Sequence, residues 1–340
     1  AEVAPTVRVR IVIAVAIALC SGLIVALDYA YSPRWIMTDI DQVWFAARAI
    51  LHGQDPYPLI GPGREFDGPW PLYYPLMAPI SILPVGWMSA VWARVLVAAI
   101  PSGLLAFVLT REGYRFLPLF ASGAFLASIK LVQWPPLLAC ALFLPWLGFF
   151  AAAKPNLGLA VLAGMRTMRD GVIALSMVVA ITVIAFVVQP GWYAQWRAAV
   201  ESAPHFQSYL LLPGGQVLLL SLLRWRRPEA RLFAVLAVVP QTPSLTTVLF
   251  LLLIPASRRD VTILALLTYI PFFFFQSSAK YPSFEAWAQV MEWVLLFTAY
   301  LPALFFLLRK PNVGPAPEII ERAVRNLPVW IRGTSARPSL

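Results

Sequence analysis

The chain has 340 residues, of which 60% are hydrophobic and only 12% are charged. A soluble protein would carry roughly a quarter charged residues, so this composition excludes an ordinary soluble domain and predicts a polytopic membrane protein. The net charge of +10 would suit a nucleic-acid-binding protein, but the basic residues stand in short clusters between apolar segments, as they do where charge sets membrane topology. We therefore expect no nucleic acid partner, and the two Cys and two His argue against a disulfide framework, a zinc site or a haem site.

Hydropathy predicts an all-α, polytopic transmembrane helical bundle of about ten membrane segments. Several of them are shorter than the ~20 residues that a simple span needs, and we expect these to be broken or re-entrant. In chain order the predicted segments are Ile11–Ala30, Trp87–Thr110, Phe116–Ile129, Trp134–Ala153, Gly171–Val188, Gln216–Leu223, Leu232–Pro240, Leu245–Ala256, Val261–Phe275 and Val290–Leu308.

The topology follows from the positions of the basic residues. The first apolar run has no small-residue cleavage motif after it, so we expect an uncleaved helix rather than a signal peptide. If the N-terminus is cytoplasmic and the spans alternate, most of the 26 Lys and Arg residues fall inside. This predicts a transmembrane domain over 1–310 and a cytoplasmic tail over 311–340, with both termini cytoplasmic. The same alternation places Lys154 inside, where we expect it to serve as a helix stop and a topology signal.

Two long loops are predicted on the outer face, over 31–86 and 189–215. In the first, Thr38 is a suitable helix N-cap, Asp39 and Asp41 suit a first turn, and apolar residues then recur at helical spacing. This pattern predicts an amphipathic juxtamembrane helix over 39–52. In the second loop, Trp192 and Trp196 share one face of another such helix, and aromatic residues of this kind favour the membrane interface.

Short motifs follow one another in a distinctive order. They are Asp39 before the alanine-rich helix, Gly-Gln-Asp-Pro-Tyr from Gly53, Tyr-Tyr-Pro-Leu-Met-Ala-Pro-Ile from Tyr73, Lys-Leu-Val-Gln-Trp from Lys130, Ala-Ala-Ala-Lys-Pro-Asn-Leu-Gly-Leu from Ala151 and Leu-Pro-Gly-Gly-Gln from Leu212. This order resembles the GT-C superfamily of integral membrane glycosyltransferases, and it looks closest to the bacterial branch related to polyprenyl-phosphate-mannose-dependent mannosyltransferases. The resemblance covers roughly residues 11–308.

The resemblance implies a GT-C-like fold in the bacterial inner membrane, with the active face periplasmic. It implies that a mannose-like sugar passes, with inversion, from a polyprenyl-phosphate donor among membrane lipids to an acceptor hydroxyl on a lipid or glycan. It also places the general base at Asp39, with Asp41 as the alternative. A hydroxyl is a poor nucleophile until a base removes its proton, so a carboxylate suits this role.

The alternative is that both aspartates have no catalytic role and only stabilise the helix by interacting with its dipole. Two residues that are two apart on a helix differ by about 200° around its axis, so Asp39 and Asp41 are not expected to face one substrate together. No protein metal site is expected, although a divalent cation held by the two carboxylates is left open as a cofactor.

A lipid phosphate needs cationic partners on the same face. The candidates are Arg64, Lys130, Arg197, His205 and Lys280. The alternative for the Lys and Arg residues is that each snorkels at the membrane surface, with no ligand. We expect the substrate groove to be lined by Trp44, Tyr57, Tyr73, Tyr74, Gln133 and Trp134.

Two other functions stay open. The chain is short for this superfamily, so a non-catalytic GT-C-like scaffold subunit within a larger membrane complex is one alternative. A lipid or solute transporter is the other, although transporters usually show internal repeats and charges at mid-membrane, and here only Arg94 and Glu292 lie in or near spans. An enzyme should place Asp39 beside a cavity open to lipid and water, with basic groups close to it.

Overall fold

The computed structural model describes residues 5–31, 38–275, 280–315 and 318–334. Over these residues the chain is helical and has no β-strand, so the expected all-α class is confirmed. The α-helices are α1 Val7–Tyr31, α2 Asp39–Leu51, α3 Met77–Ser81, α4 Ala90–Leu109, α5 Gly123–Lys130, α6 Pro135–Ala141, α7 Pro155–Ala163, α8 Met168–Val188, α9 Trp192–Glu201, α10 Pro228–Val238, α11 Arg258–Leu267, α12 Tyr269–Phe275, α13 Phe284–Leu295, α14 Leu301–Leu308, α15 Glu318–Ala323 and α16 Val329–Arg332. Residues 32–37 of the predicted outer loop, and 316–317 and 335–340 of the predicted tail, lie outside the described residues.

Several apolar segments form 3-10 helix instead of α-helix. The longest are Pro145–Ala152, Gly215–Arg224 and Leu245–Leu253, and a π-helical turn, Leu296–Tyr300, joins α13 to α14. Runs of 3-10 helix beyond three or four residues are uncommon, because their hydrogen-bond geometry is poorer than that of an α-helix. Prolines or glycines begin or border these segments.

The structure supports a membrane protein with fewer complete spans than expected. Four helical stretches in the described part are long and apolar enough to cross a membrane: Val7–Tyr31, Ala90–Glu112, Met168–Val188 and Phe284–Leu308. A fifth arises if α5 and α6, bent by 111°, count as one broken span. The structure does not show ten spans, since the other apolar segments are short helices. The two amphipathic helices expected at 39–52 and around Trp192 are present as α2 and α9.

Helices α1 and α4 form the longest antiparallel pair. A Cβ added at Gly22 would lie 3.3 Å from Val95, and one added at Gly103 would lie 2.9 Å from the carbonyl oxygen of Ala14. Small residues at such contacts let two helix backbones approach closely. We name the end of the bundle where α1 ends and α4 begins the Asp39 end, and the opposite end the basic end.

The basic end collects most of the cations that the sequence placed inside. Arg166 pairs with Glu112 at 2.8 Å and Lys310 pairs with Glu229 at 2.8 Å, which joins the ends of α4, α7, α10 and α14. The cations of this end include Arg8, Arg10, Arg111, Arg115, Arg166, Arg169, Arg224, Arg226, Arg227, Arg231, Arg258, Arg259, Arg309 and Lys310. The two ends of the bundle therefore differ strongly in charge.

A buried ion pair fixes α2 against α4 at the Asp39 end. Arg94 donates from Nε to Oδ1 of Asp41 at 2.6 Å and from Nη2 to Oδ2 at 2.5 Å. The backbone N–H of Thr38 also donates to Asp41 Oδ2, at 2.6 Å, so the same carboxylate caps the first turn. The Asp41 side chain is only 1% exposed. A bidentate pair of this kind fixes orientation as well as position, and α2 is thereby held with Asp39 on its accessible side.

The described part of the predicted tail folds back onto the buried Arg226. This guanidinium donates to both carboxylate oxygens of Glu321, at 2.6 and 2.7 Å, and to the carbonyl of Gly314 at 3.1 Å. Gly333 has φ of 68°, and a Cβ there would lie 2.2 Å from the carbonyl oxygen of Asn312, so the close turn requires glycine. The tail is therefore attached to the basic end.

We expect Asp41→Asn to lower the free energy of unfolding by about 3 kcal/mol, because it removes the charge that balances the buried Arg94 guanidinium. Thermal denaturation of the purified chain in detergent measures this. Arg94→Met alone should cost a similar amount. The double variant Asp41→Leu with Arg94→Met should recover much of the loss, since apolar pairs often replace buried ion pairs at little cost. Unchanged midpoints in both single variants would contradict the anchoring role.

We expect the tail to detach in acid. The hydrogen bonds and charge of Arg226 lower the pKa of Glu321 below its usual 4.5. A carboxylate with a lowered pKa in the docked state stabilises docking at neutral pH, and this contribution is lost as the pH falls through the lowered pKa. Hydrogen exchange over 318–334, corrected for the intrinsic pH dependence, should therefore increase below pH 4.5. Glu321→Gln should show the faster exchange already at neutral pH, and slow exchange in that variant would refute the role of the pair.

Candidate active site

Asp39 begins α2 and is contacted by side chains from two distant parts of the chain. Tyr74 donates from its hydroxyl to Oδ2 of Asp39 at 2.7 Å, and Nζ of Lys154 lies 3.7 Å from the same oxygen. The Asp39 side chain is 44% exposed and that of Lys154 is 21% exposed. Within the described residues Oδ1 accepts no hydrogen bond. One oxygen is therefore oriented by Tyr74, in a side chain that is partly accessible from outside the fold.

Lys154 reaches this carboxylate from the turn between the 3-10 helix Pro145–Ala152 and α7. Pro155 suits the first position of α7, where no backbone N–H is needed. The two segments pack so closely that a Cβ on Gly158 would lie 2.0 Å from the carbonyl oxygen of Ala151. Lys154 lies between the two segments, so the chain reverses its direction at the Asp39 end. The expectation that Lys154 lies on the opposite side of the membrane from Asp39 is wrong, since two groups 3.7 Å apart share one side.

Gln133 and Trp134 join the site from the turn between α5 and α6. Nζ of Lys154 donates to Oε1 of Gln133 at 3.3 Å, and the rings of Trp134 and Tyr74 lie 6.1 Å apart. Val132, just before them, has φ of 46°, a left-handed conformation that a β-branched residue rarely adopts. Such strain costs on the order of 1–3 kcal/mol and is concentrated at functional sites. We name Asp39, Tyr74, Gln133, Trp134 and Lys154 the Asp39 cluster.

Tyr74 is a hydrogen-bond donor throughout the physiological range. Burial, and then the charge of Asp39 and the hydrogen bond to it, raise the pKa of Tyr74 well above its usual 10.0. Its phenol therefore stays protonated and orients the carboxylate. Tyr57 supports this loop, since its hydroxyl donates to the carbonyl of Tyr74 at 3.2 Å, and burial raises the pKa of Tyr57 as well.

The two aspartates have different surroundings. Both oxygens of Asp41 are held by Arg94 beneath the helix, whereas Asp39 faces the accessible side. Of these two carboxylates, Asp39 is the one that a substrate can reach. Among the described residues, no group of three His, Cys, Asp or Glu side chains is arranged to hold a metal ion.

The five expected phosphate ligands do not join the Asp39 cluster in the described structure. Lys130 pairs with Asp28 at 3.3 Å, and Arg197 pairs with Glu201 at 2.8 Å. Arg64 donates to the carbonyl of Tyr57 at 2.7 Å.

His205 and Lys280 are exposed, and the described hydrogen bonds and ion pairs of Asp39 go to Tyr74 and Lys154 instead. Among the described residues, Lys154 is the cation that pairs with Asp39. The only signal for it in the sequence is the Lys-Pro-Asn motif that follows a short apolar segment.

The expected groove residues are partly brought together. Tyr74, Gln133 and Trp134 belong to the Asp39 cluster, and Tyr57 supports it through the hydrogen bond to the carbonyl of Tyr74. Trp44 instead donates from Nε1 to the carbonyl of Met88 at 3.1 Å. The carbonyl of Tyr73 accepts from Nε1 of Trp196, at 3.0 Å, which ties α9 to this loop.

An open pocket of about 230 Å³ lies at the far end of α2, some 18 Å along the helix from Asp39. Beside it a chain of hydrogen bonds runs from Gln189 through Gln195 to Asp55. Its lining residues are Ile50, Gly53, Gln54, Asp55, Val188 and Gln189. Polar groups able to bind hydroxyls are therefore also present at the Asp39 end, away from the carboxylate itself.

Comparison of the chain with protein-family models, with curated proteins and with solved structures finds no match. The resemblance to GT-C enzymes therefore depends on the motifs of the sequence.

The proximity of Asp39 and Lys154 can be tested directly by cross-linking. We expect a short bismaleimide to join cysteines introduced by Asp39→Cys and Lys154→Cys, in a chain that also carries Cys20→Ala. Peptide mass spectrometry detects the linked pair. Asp39→Cys with Arg166→Cys is the matched control, because Arg166 lies at the basic end and should not link. Linking in the control and not in the test pair would overturn the placement of Lys154.

Proposed function

We propose that this chain is a membrane glycosyltransferase that uses Asp39 as a general base. The observation that carries the proposal is the accessible Asp39 carboxylate, held through one oxygen by Tyr74 and placed 3.7 Å from Lys154. A base and a cation at this separation suit a reaction in which a hydroxyl loses a proton while a phosphate departs.

In the proposed step the acceptor hydroxyl oxygen attacks the anomeric carbon of a lipid-phosphate sugar. The new glycosidic C–O bond forms as the bond between that carbon and the phosphate oxygen breaks. Asp39 receives the hydroxyl proton on Oδ1, and polyprenyl phosphate leaves with the electron pair. General base catalysis of this kind contributes typically 10²–10⁴-fold in rate. Direct displacement inverts the anomeric centre.

Lys154 takes the role of the phosphate ligand in this proposal. Its ammonium group is a compact point charge, suited to the charge that develops on the departing phosphate. Gln133 accepts a hydrogen bond from Nζ of Lys154, and the Tyr74 ring centroid lies 6.0 Å from Nζ, so the ammonium group is oriented before substrate arrives. Electrostatic groups that are already in place avoid reorganisation during the reaction.

The membrane setting of the proposal comes from charge and from the resemblance. The cation-rich basic end fits the cytoplasmic side and the Asp39 end fits the outer side, by the positive-inside rule. The bacterial inner membrane, the polyprenyl carrier, the mannose-like sugar and an acceptor on a lipid or glycan follow from the GT-C resemblance.

The test uses the full chain in lipid nanodiscs with polyprenyl-phosphate-mannose and an extract of membrane lipids as acceptor. We expect Asp39→Asn to reduce transfer about 10²–10⁴-fold, because the base is lost, while binding of polyprenyl phosphate is retained. Lys154→Gln should instead weaken polyprenyl phosphate binding by about tenfold or more, as expected when a charged hydrogen bond is removed.

Glu65→Gln is the matched control, since Glu65 is an exposed acid in the same loop with no described contact to the Asp39 cluster, and it should retain full activity. Full transfer by Asp39→Asn would remove Asp39 as the base. A wild-type chain that binds polyprenyl phosphate but transfers nothing would favour the scaffold alternative. Net movement of the lipid between leaflets without transfer would favour the transporter.

A further inference from the structure

Three large apolar side chains of the tail point away from the protein. Leu327 is 41% exposed, Val329 is 60% exposed and Trp330 is 63% exposed. They lie within four consecutive residues at and before α16, and we name them the tail patch. Exposed apolar groups that adjoin one another in this way mark an interaction surface more often than scattered ones do.

The tail patch is held at the level where two apolar segments end. Trp225, directly after the apolar 3-10 helix Gly215–Arg224, donates from Nε1 to the carbonyl of Ile331 at 3.0 Å. Arg224 donates from Nη2 to the carbonyl of Leu308, the last residue of the final span, at 2.7 Å. The patch is therefore fixed beside the boundary of the apolar part of the bundle.

The surroundings of the tail patch are cationic. The guanidinium of Arg332 donates to the carbonyl of Arg325, which brings both arginines next to the patch. Elsewhere on the basic end Arg309 is 60% exposed, although it pairs with Asp260 at 3.8 Å, and Arg258 and Arg259 are exposed.

The acids of this end are largely engaged by cations. Glu112 pairs with Arg115 and Arg166, Glu229 with Lys310, and Glu321 with the buried Arg226. These paired acids therefore cancel little of the positive charge that the exposed arginines present to an anionic surface.

We propose that the tail patch inserts into the headgroup region of a leaflet that contains anionic phospholipid. Tryptophan favours the membrane interface, and short basic segments with apolar residues on one side lie in the interface plane. Each Lys or Arg near an anionic surface strengthens the attraction by about fivefold. Arg325 and Arg332 lie close to lipid phosphates, while Val329 and Trp330 lie at the acyl boundary. This inference is independent of the proposed enzymatic function.

The experiment places an environment-sensitive NBD label on Trp330→Cys, in the full chain that also carries Cys20→Ala. The protein is reconstituted in nanodiscs of phosphatidylcholine alone or of phosphatidylcholine mixed with phosphatidylglycerol. In the mixed discs we expect blue-shifted emission, protection from the neutral aqueous quencher acrylamide, and quenching by brominated lipid. High salt should reduce these effects, because it screens exposed charges.

Arg325→Gln, added to the labelled chain, should weaken the dependence on phosphatidylglycerol by roughly fivefold. A label on Glu65→Cys, at the Asp39 end, is the matched control and should not respond to lipid charge. Equal exposure of the 330 label to acrylamide in both kinds of disc would overturn the proposal. Equal insertion in both would overturn its anionic specificity. Shielding that depends on protein concentration in detergent would indicate a second copy as the occupant.

Discussion

The buried pair of Asp41 and Arg94 is the interaction on which the arrangement of the Asp39 end depends. It ties the first turn of α2 to α4, one of the long apolar helices, and the same carboxylate caps that turn through Thr38. Because the pair is bidentate, it sets the rotation of α2 about its own axis as well as its position. The neighbouring Asp39 then faces the accessible side. Two aspartates that are two residues apart in the sequence therefore differ in the structure: the Asp41 carboxylate is buried in an ion pair, and the Asp39 carboxylate is accessible.

The second determining feature is the use of half-length apolar segments. A full span carries the chain from one end of the bundle to the other, but α6 and the 3-10 helix Pro145–Ala152 are each too short to do so. Non-helical backbone at the turns is tolerated where protein surrounds it. The reversals of chain direction at these turns bring Gln133, Trp134 and Lys154 close to Asp39. Strain at Val132 and the close approach at Gly158 are local consequences of such tight returns.

At the basic end, hydrogen bonds from arginine side chains connect the helix ends. Several of its arginines donate hydrogen bonds to backbone carbonyls at helix ends, as Arg224 and Arg231 show. The five donors of a guanidinium suit this use better than an ammonium group would. The described tail is attached through the same chemistry at Arg226. The cation-rich composition of this end therefore reflects structural bonding as well as topology.

The sequence by itself determined the class of the protein and the local elements. Composition predicted a helical membrane protein, and the pattern after Thr38 predicted α2, because hydropathy and helical periodicity are local properties. It also placed a carboxylate at the start of that helix and expected Tyr74, Gln133 and Trp134 near the substrate.

Only the tertiary structure decided which residues meet. Sequence reasoning expected ten alternating spans and so assigned Lys154 to the wrong side relative to Asp39, because hydropathy does not distinguish a segment that crosses from one that turns back. Sequence reasoning also did not predict the ion pair of Arg94 with Asp41, since the two residues are 53 positions apart and the pair forms only when α2 packs on α4. Long-range pairing of charges depends on tertiary packing, and tertiary packing cannot be predicted from a short segment of the sequence.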